Sequence, residues 1–188
     1  MSGQVTLKRF SLHRRARLRD GTPILLRTLQ PEDREDLVRG FARLSASSRR
    51  FRFLAPLHKL TSAQVRELTE VDQRDHVAIA ARDESRPDHP GIGVARFVRL
   101  EQEPEVAEFA ITVIDDYQHR GLGTLLLKLL LKAAQAMQVR TLRGFLLADN
   151  LAMLQLLRKF EATWRRAWDN TLRADLPVAQ AAGRLSAP

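Results

Sequence analysis

The sequence predicts an α/β fold in a single domain, with a mixed sheet and helices layered against it. Three observations lead there. The chain has 188 residues, close to one domain at about 150 residues each and long enough to bury about 70% of its extended surface. After a hairpin and short helices, the elements run as strands, a helix, a strand, a helix and more strands, the order of a layered α/β protein. The greasiest stretch, Leu125 to Leu131, is broken by Lys128 and ended by Lys132, far short of the ~18 apolar residues that cross a bilayer.

Taken in order, Arg17 to Leu29 reads as a hairpin, with Asp20-Gly21 as its turn. Pro31 opens a helix whose first turn holds Glu32, Asp33, Glu35 and Asp36, acids placed where the positive helix end favours them. Leu37, Phe41 and Leu44 share one face of it. Ser47 is expected to cap a short basic helix with Arg49, Arg50 and Arg52. Thr61 and Gln64 form a capping box for a helix to about Val71.

Strands follow at His76 to Arg82 and Ile92 to Leu100, around a loop rich in Pro, Asp and Gly. Val106 to Ile114 is another strand, and Gly121 to Gln138 a long helix with Leu125, Leu126, Leu129 and Leu130 as core. Thr141 to Leu147 is a strand, after which Asp149 caps a helix ending near Phe160. Thr163 to Trp168 and Thr171 to Leu176 close the chain as a strand pair, with Trp164 and Trp168 read as core and strand-pair residues. Residues 1–16 are expected to be a basic arm, 17–177 the folded domain and 178–188 a loose tail.

Composition narrows the chemistry. The absence of cysteine excludes disulfide scaffolds, thiolate zinc sites, iron–sulfur clusters and covalent cysteine intermediates. His13, His58, His76, His89 and His119 show no ligand spacing, so no metal site is expected. Lys and Arg total 31 against 22 acids, a net charge of +9. Such a surface favours polyanions: nucleic acid, an acidic membrane face or a phosphate-rich small molecule. With no apolar leader at the N-terminus, a cytoplasmic location is expected.

The strongest motif is Gln118-His119-Arg120-Gly121-Leu122-Gly123-Thr124, placed after one strand and opening a helix. Glycines there let backbone approach a ligand, and the helix start offers free N–H groups to phosphate. A plain strand-to-helix turn is the alternative. It is neither a Walker loop, lacking Gly-Lys-Ser/Thr, nor the dinucleotide fingerprint, lacking a third glycine.

In this context the chain resembles the GNAT superfamily of N-acetyltransferases, whose signature is Gln/Arg-x-x-Gly-x-Gly/Ala between a strand and the following helix. Gln118, Gly121 and Gly123 match it, and Asn150 and Met153 open the next helix as in that family. Arg19-Asp20-Gly21-Thr22, Leu44 to Arg49, Thr69-Glu70-Val71-Asp72 and His76-Val77-Ala78 resemble the bacterial protein-lysine acetyltransferase branch. The resemblance implies a mixed, mostly antiparallel central sheet flanked by helices. It also implies acetyl transfer from acetyl-CoA to a primary amine, expected to be a protein lysine. Ile111, Thr112 and Val113 would pair with the pantetheine arm. Gln118, His119, Arg120, Gly121, Leu122, Gly123 and Thr124 would cradle the pyrophosphate, with Asn150 and Met153 alongside.

Glu108 is the expected general base. In its strand it shares a face with Val106, Ala110, Thr112 and Ile114. A carboxylate among such neighbours is placed to be desolvated, which suits it to take a proton from an ammonium. The resemblance independently puts a catalytic glutamate here; the alternative is an edge-strand glutamate paired with an arginine. Where many members carry a tyrosine as general acid, this chain has Leu157, and Tyr117 is read as structural. The general acid is therefore unassigned. Two other readings stand beside the lysine acetyltransferase. One is acetylation of a small amine; the other is a non-catalytic CoA sensor or a nucleic-acid module using residues 8–19. The chain shows no cyclic-nucleotide or CoA-ligase-like segment, so regulation by one is not expected. A homodimer is left open.

Overall fold

The computed structural model describes residues 8–183. Its strands are β1 (His13–Arg17), β2 (Pro23–Thr28), β3 (His76–Asp83), β4 (Gly91–Arg99), β5 (Val106–Val113), β6 (Thr141–Leu147), β7 (Thr163–Arg166) and β8 (Thr171–Pro177). They form one sheet in the order β1-β2-β3-β4-β5-β6-β8-β7. Every neighbouring pair is antiparallel except β5 and β6. A parallel pair needs a crossover, and α4 (Leu122–Ala136) supplies it. The other helices are α1 (Arg34–Ala42), α2 (Ala46–Phe53), α3 (Ser62–Thr69), α5 (Leu151–Arg158) and α6 (Val178–Gly183). This is the mixed, mostly antiparallel sheet with flanking helices that the sequence predicts.

The core gathers around α4. Leu126, Leu127, Leu130 and Leu131 have no more than traces of exposed surface, because α4 is packed by β3, β4 and β5 on one side and by α6 on another. Leu125, expected in the core, is only partly buried. Where α4 crosses β4, a Cβ on Gly93 would lie 3.2 Å from Leu126 and 3.3 Å from Leu122. Phe41 and Leu44 are buried and Leu37 partly so, with Leu44 just beyond the end of α1, and Thr61 and Gln64 form their capping box, Thr61 Oγ1 accepting from the Gln64 amide at 3.2 Å.

Five local expectations are corrected. The arginine-rich stretch before residue 17 is no arm from residue 13 onward: His13–Arg17 is β1, paired along β2. Before it, the Thr28 amide donates to the Leu12 carbonyl and the Phe10 amide to Gln73. Arg14, Arg15 and Arg17 are exposed on an edge strand, where charge discourages pairing with another chain. The tail is likewise helical over Val178–Gly183, with Val178 and Ala181 buried. The remainder of the expected arm and tail, 1–7 and 184–188, lies outside the described residues.

Ser45, not Ser47, caps α2, and Asn150, not Asp149, caps α5; each accepts from the amide three residues on, at 3.1 Å. Trp168 falls beyond β7 and is 50% exposed, its ring tilted on Phe145 at 4.9 Å, whereas Trp164 is partly buried.

Candidate active site

The site is built by a divergence in the sheet. β5 and β6 pair only over Val106–Thr141, Ala107–Leu142 and Glu108–Arg143. Beyond Glu108, β5 runs on to Val113 and β6 to Leu147 without pairing. Backbone polar groups facing that gap have no ladder partner, and such groups are satisfied by water or by a ligand. Phe109 occupies the start of the gap. A Cβ on Gly144 would stand 2.7 Å from its ring, so only glycine lets β6 close over it.

The gap opens into a cleft of about 530 Å³, a size suited to a ligand. Its strand wall holds Ile111, Thr112 and Val113. Its far end is the turn into α4, where Gln118, His119, Gly121, Gly123 and Thr124 all line the space, and Asn150 and Met153 border it at the start of α5. Gly121 sits at φ +89°, a left-handed conformation that costs a side-chain-bearing residue about 1–2 kcal/mol. Its missing side chain also makes room for Arg19, 3.2 Å from where a Cβ would be.

Three expected residues stand differently. The Arg120 guanidinium pairs with Asp20 at 2.9 Å and lies 4.9 Å over the Tyr117 ring, so it braces the β1–β2 turn instead of facing the cleft. Leu122 is core, 1% exposed. Glu108 does not line this cleft and is exposed, so the desolvation expected of it is absent. What qualifies Glu108 is position: it is the last β5 residue paired with β6, on the same side of the strand as Ala110 and Thr112. Nor is it an edge-strand glutamate in an ion pair. β5 is central, and among the described residues no arginine or lysine pairs with Glu108, although Arg52 feels its charge. Its register partner Arg143 is taken by Glu103 and Asp175.

Other residues line the cleft beyond those assigned from the glycine motif. Ser48, Phe51 and Arg52 reach the cleft from α2, and Arg19 from the hairpin. Asp115 organises this corner. Its carboxylate accepts from the Ser45 amide at 3.0 Å, the Ser45 hydroxyl at 2.6 Å and the Ser48 hydroxyl at 2.9 Å. Burial opposes its charge, but these donors hold its pKa below the ordinary carboxylate value. Gln118 then donates to Ser48 at 3.3 Å and to the Val113 carbonyl at 3.2 Å, which locks α2, the end of β5 and the loop together. Arg19 and Ser48 lie in segments that carry the resemblance and Arg52 in the basic helix, while Phe51 has no signal in the sequence.

Leu157, at the position where a tyrosine acid would stand, is fully buried. Tyr117 is structural, its hydroxyl donating to Asp83 at 2.7 Å. Among the described residues, no group of three or more His, Cys, Asp or Glu could hold a metal ion, and no helix is long and apolar enough to cross a membrane.

Comparison with known proteins agrees with this geometry. The acetyltransferase Pat of Mycolicibacterium smegmatis is 34% identical over 149 residues, which are 79% of this chain and 44% of that protein; the chain thus spans less than half of that relative's length. An acetyltransferase of Pseudomonas aeruginosa is 32% identical over 139 residues, 74% of each chain. The crystal structure of the GNAT domain of S. lividans PAT superposes with a TM-score of 0.81 at 26% identity, covering 88% of this chain and 96% of that one. A family model described as an acetyltransferase (GNAT) domain matches residues 24–163, from β2 to the first residue of β7. A chain matched over that span, with a split between β5 and β6 leading to a glycine turn at a helix start, belongs to the GNAT acetyltransferase family.

Proposed function

We propose that this protein is an acetyl-CoA-dependent N-acetyltransferase acting on a primary amine, with a protein lysine side chain as the acceptor, in the cytoplasm. The observation that carries the reading is the β5–β6 gap, with Glu108 at its closed end and the Gln118–Thr124 turn at its open end. The residues fit the cosubstrate: an unpaired strand edge suits the amides of a pantetheine arm, and the α4 N-terminus behind Gly121 suits a pyrophosphate. Bound acetyl-CoA supplies an activated acyl group on a good leaving thiol.

Each step then falls to a residue of the chain. The Ile111 to Val113 backbone and the amides of the Gly121 to Thr124 turn hold and orient the donor. Glu108 accepts a proton from the incoming ammonium, directly or through one water, and frees the nitrogen lone pair to attack. As the new C–N bond forms and the C–S bond breaks, the nitrogen sheds its second proton to water and the departing thiolate takes one back from water, since Leu157 and Tyr117 offer none; the net proton released is the one on Glu108. The names of the relatives support the acyl chemistry.

The test is thiol release from acetyl-CoA with a panel of proteins and small amines, for the wild type and Glu108→Gln. The expected result is turnover on a protein lysine, with kcat lowered about 10²–10⁴-fold in the variant while acetyl-CoA affinity holds. A folded Gln variant with wild-type kcat removes Glu108 from the mechanism. Turnover on small amines alone replaces the acceptor.

A further inference from the structure

Across β5 from this cleft lies a smaller cavity of about 90 Å³, walled by Phe41, Leu44, Phe53 and Leu60 and floored by Ala110 and Thr112. Its lining is apolar except at two places. At one, Asp33, Asp36 and Arg82 neutralise one another: Arg82 pairs with Asp36 at 2.8 Å, and Arg27 forks onto Asp33. At the other stand Arg52 and Arg96, and no carboxylate answers either.

Arg96 is 6% exposed. Its guanidinium donates only to neutral acceptors, the Leu68 carbonyl at 3.0 Å and His76 Nε2 at 3.2 Å. Arg52 makes no hydrogen bond or ion pair among the described residues and rests 4.9 Å over the Phe53 ring. Burial pushes both guanidinium groups down, and Arg96 is lowered by its burial first and by the Arg52 charge second. Glu108 attracts Arg52, and Glu67 attracts Arg96, without reaching ion-pair distance. Two neighbouring guanidinium groups with no counter-ion in an apolar hollow are costly to bury, and an arriving anion relieves that cost. Guanidinium forks match carboxylate geometry in particular. Arg52 borders both this cavity and the β5–β6 cleft, so a group held there is next to the acyl-transfer position.

We propose that this cavity receives the acceptor, and that Arg52 and Arg96 bind a carboxylate that the acceptor carries close to its reacting amine. The inference rests on the N-acetyltransferase reading above and names the substrate class of that same site. The carboxylate belongs either to an acidic residue beside the modified lysine or to a free amino acid. Two fixed cations near the amine also favour its neutral, nucleophilic form.

The test uses matched probes with the full chain: a lysine peptide flanked by glutamates against one flanked by glutamines, and free lysine against lysine amide. Dissociation constants come from calorimetry in the presence of CoA, which cannot transfer an acetyl group, and kcat/KM from thiol release with acetyl-CoA. Wild type is expected to favour an acid-bearing probe over its amide twin by about tenfold or more, the range for hydrogen bonds to charged groups. Arg52→Gln should abolish that preference, while the exposed control Arg165→Gln keeps it. Arg52→Lys, which keeps the charge and loses the fork, should fall between. Preference confined to the peptides identifies an acidic protein flank, and preference confined to free lysine identifies a small amino acid. Equal binding of acid and amide twins overturns the inference, as does a preference that survives Arg52→Gln or that follows succinyl-CoA over acetyl-CoA instead of the acceptor. Acid-selective binding lost in Arg52→Gln, without any thiol release, keeps the carboxylate site and overturns the transferase reading. Release at equal rates from acid and amide twins does the reverse.

Discussion

Arg50 of α2 and Asp149 at the head of α5 meet at 2.9 Å, joining the helix that borders one side of the β5–β6 cleft to the turn that borders the other. Both side chains are about half exposed, at 40% and 52%. Exposed ion pairs contribute little to stability. Arg50→Ala is therefore expected to leave the melting temperature nearly unchanged while raising KM for acetyl-CoA several-fold, because the two walls are no longer held at a fixed spacing. The same rise should appear in the wild type at high salt, where exposed pairs are screened. A variant with unchanged KM at both salt levels would show that the pair does not set the width of the cleft.

Gly121 should be intolerant of side chains for a local reason. Its φ of +89° and the Arg19 side chain 3.2 Å from a would-be Cβ act together. Gly121→Val is expected to fold but to reshape the turn that lines the cleft. Saturating acetyl-CoA at about 100 times its dissociation constant should stabilise the wild type by ~2.7 kcal/mol. The variant should lose most of that shift, and a thermal melt with and without acetyl-CoA measures it. A full shift in the variant would move the anion site away from this turn.

Much of this site was legible where its residues are contiguous. The Gln118 to Thr124 turn carries its own signature, and a strand before it with a helix after it follows from local pattern. What was not legible depends on closeness between distant segments. Asp115 reaches Ser45 and Ser48 across some 70 residues of chain, and Arg120 reaches Asp20 across 100. No spacing rule announces either contact, so Arg120 reads as a phosphate ligand although its charge is spent on Asp20. Glu108 shows a different gap. Alternation in a strand tells which residues share a face, but not whether another layer covers that face, and at Glu108 none does. β1 was misread because arginines suit both a free arm and an edge strand; only the pairing with β2 separates the two.

Gly144 marks the closed end of the gap. Gly144→Ala places a methyl carbon 2.7 Å from the Phe109 ring, and β6 is held from its other side by β8, so the ring has to move. Overpacking of this kind costs about 1–3 kcal/mol. The expected outcome is a lower urea midpoint together with a fall in acetyl-CoA affinity, because Phe109 precedes the β5 backbone that lines the cleft. Phe109→Leu in the same chain should restore part of the stability. If it restores none, the two residues are not coupled and Gly144 matters for some reason other than this contact.

His76 gives the pH dependence of folding a specific window. It lies partly buried on β3, with Arg96 donating to its Nε2 at 3.2 Å, so that nitrogen is the unprotonated one. Burial, and next the Arg96 charge, push its pKa from 6.5 to about 4, against a smaller pull from Asp72. The unfolded chain therefore binds a proton on His76 near pH 6.5, while the folded chain resists it until about pH 4. Between those values the unfolded state holds more protons, so stability rises with pH across the window and levels off above it. The carboxylates held below their ordinary values, Asp33, Asp72, Asp83 and Asp115, act in the same direction but lower, as pH falls through the ordinary carboxylate range and below. Urea midpoints measured from pH 4.5 to 8 isolate the histidine. The wild type should lose stability steadily below pH 6.5. His76→Gln, whose amide oxygen can still accept from Arg96 but takes no proton, should show a much flatter profile over the same range. Equal slopes in the two proteins would mean that His76 is free to protonate in the folded state, and that Arg96 is not held against it as the structure places it.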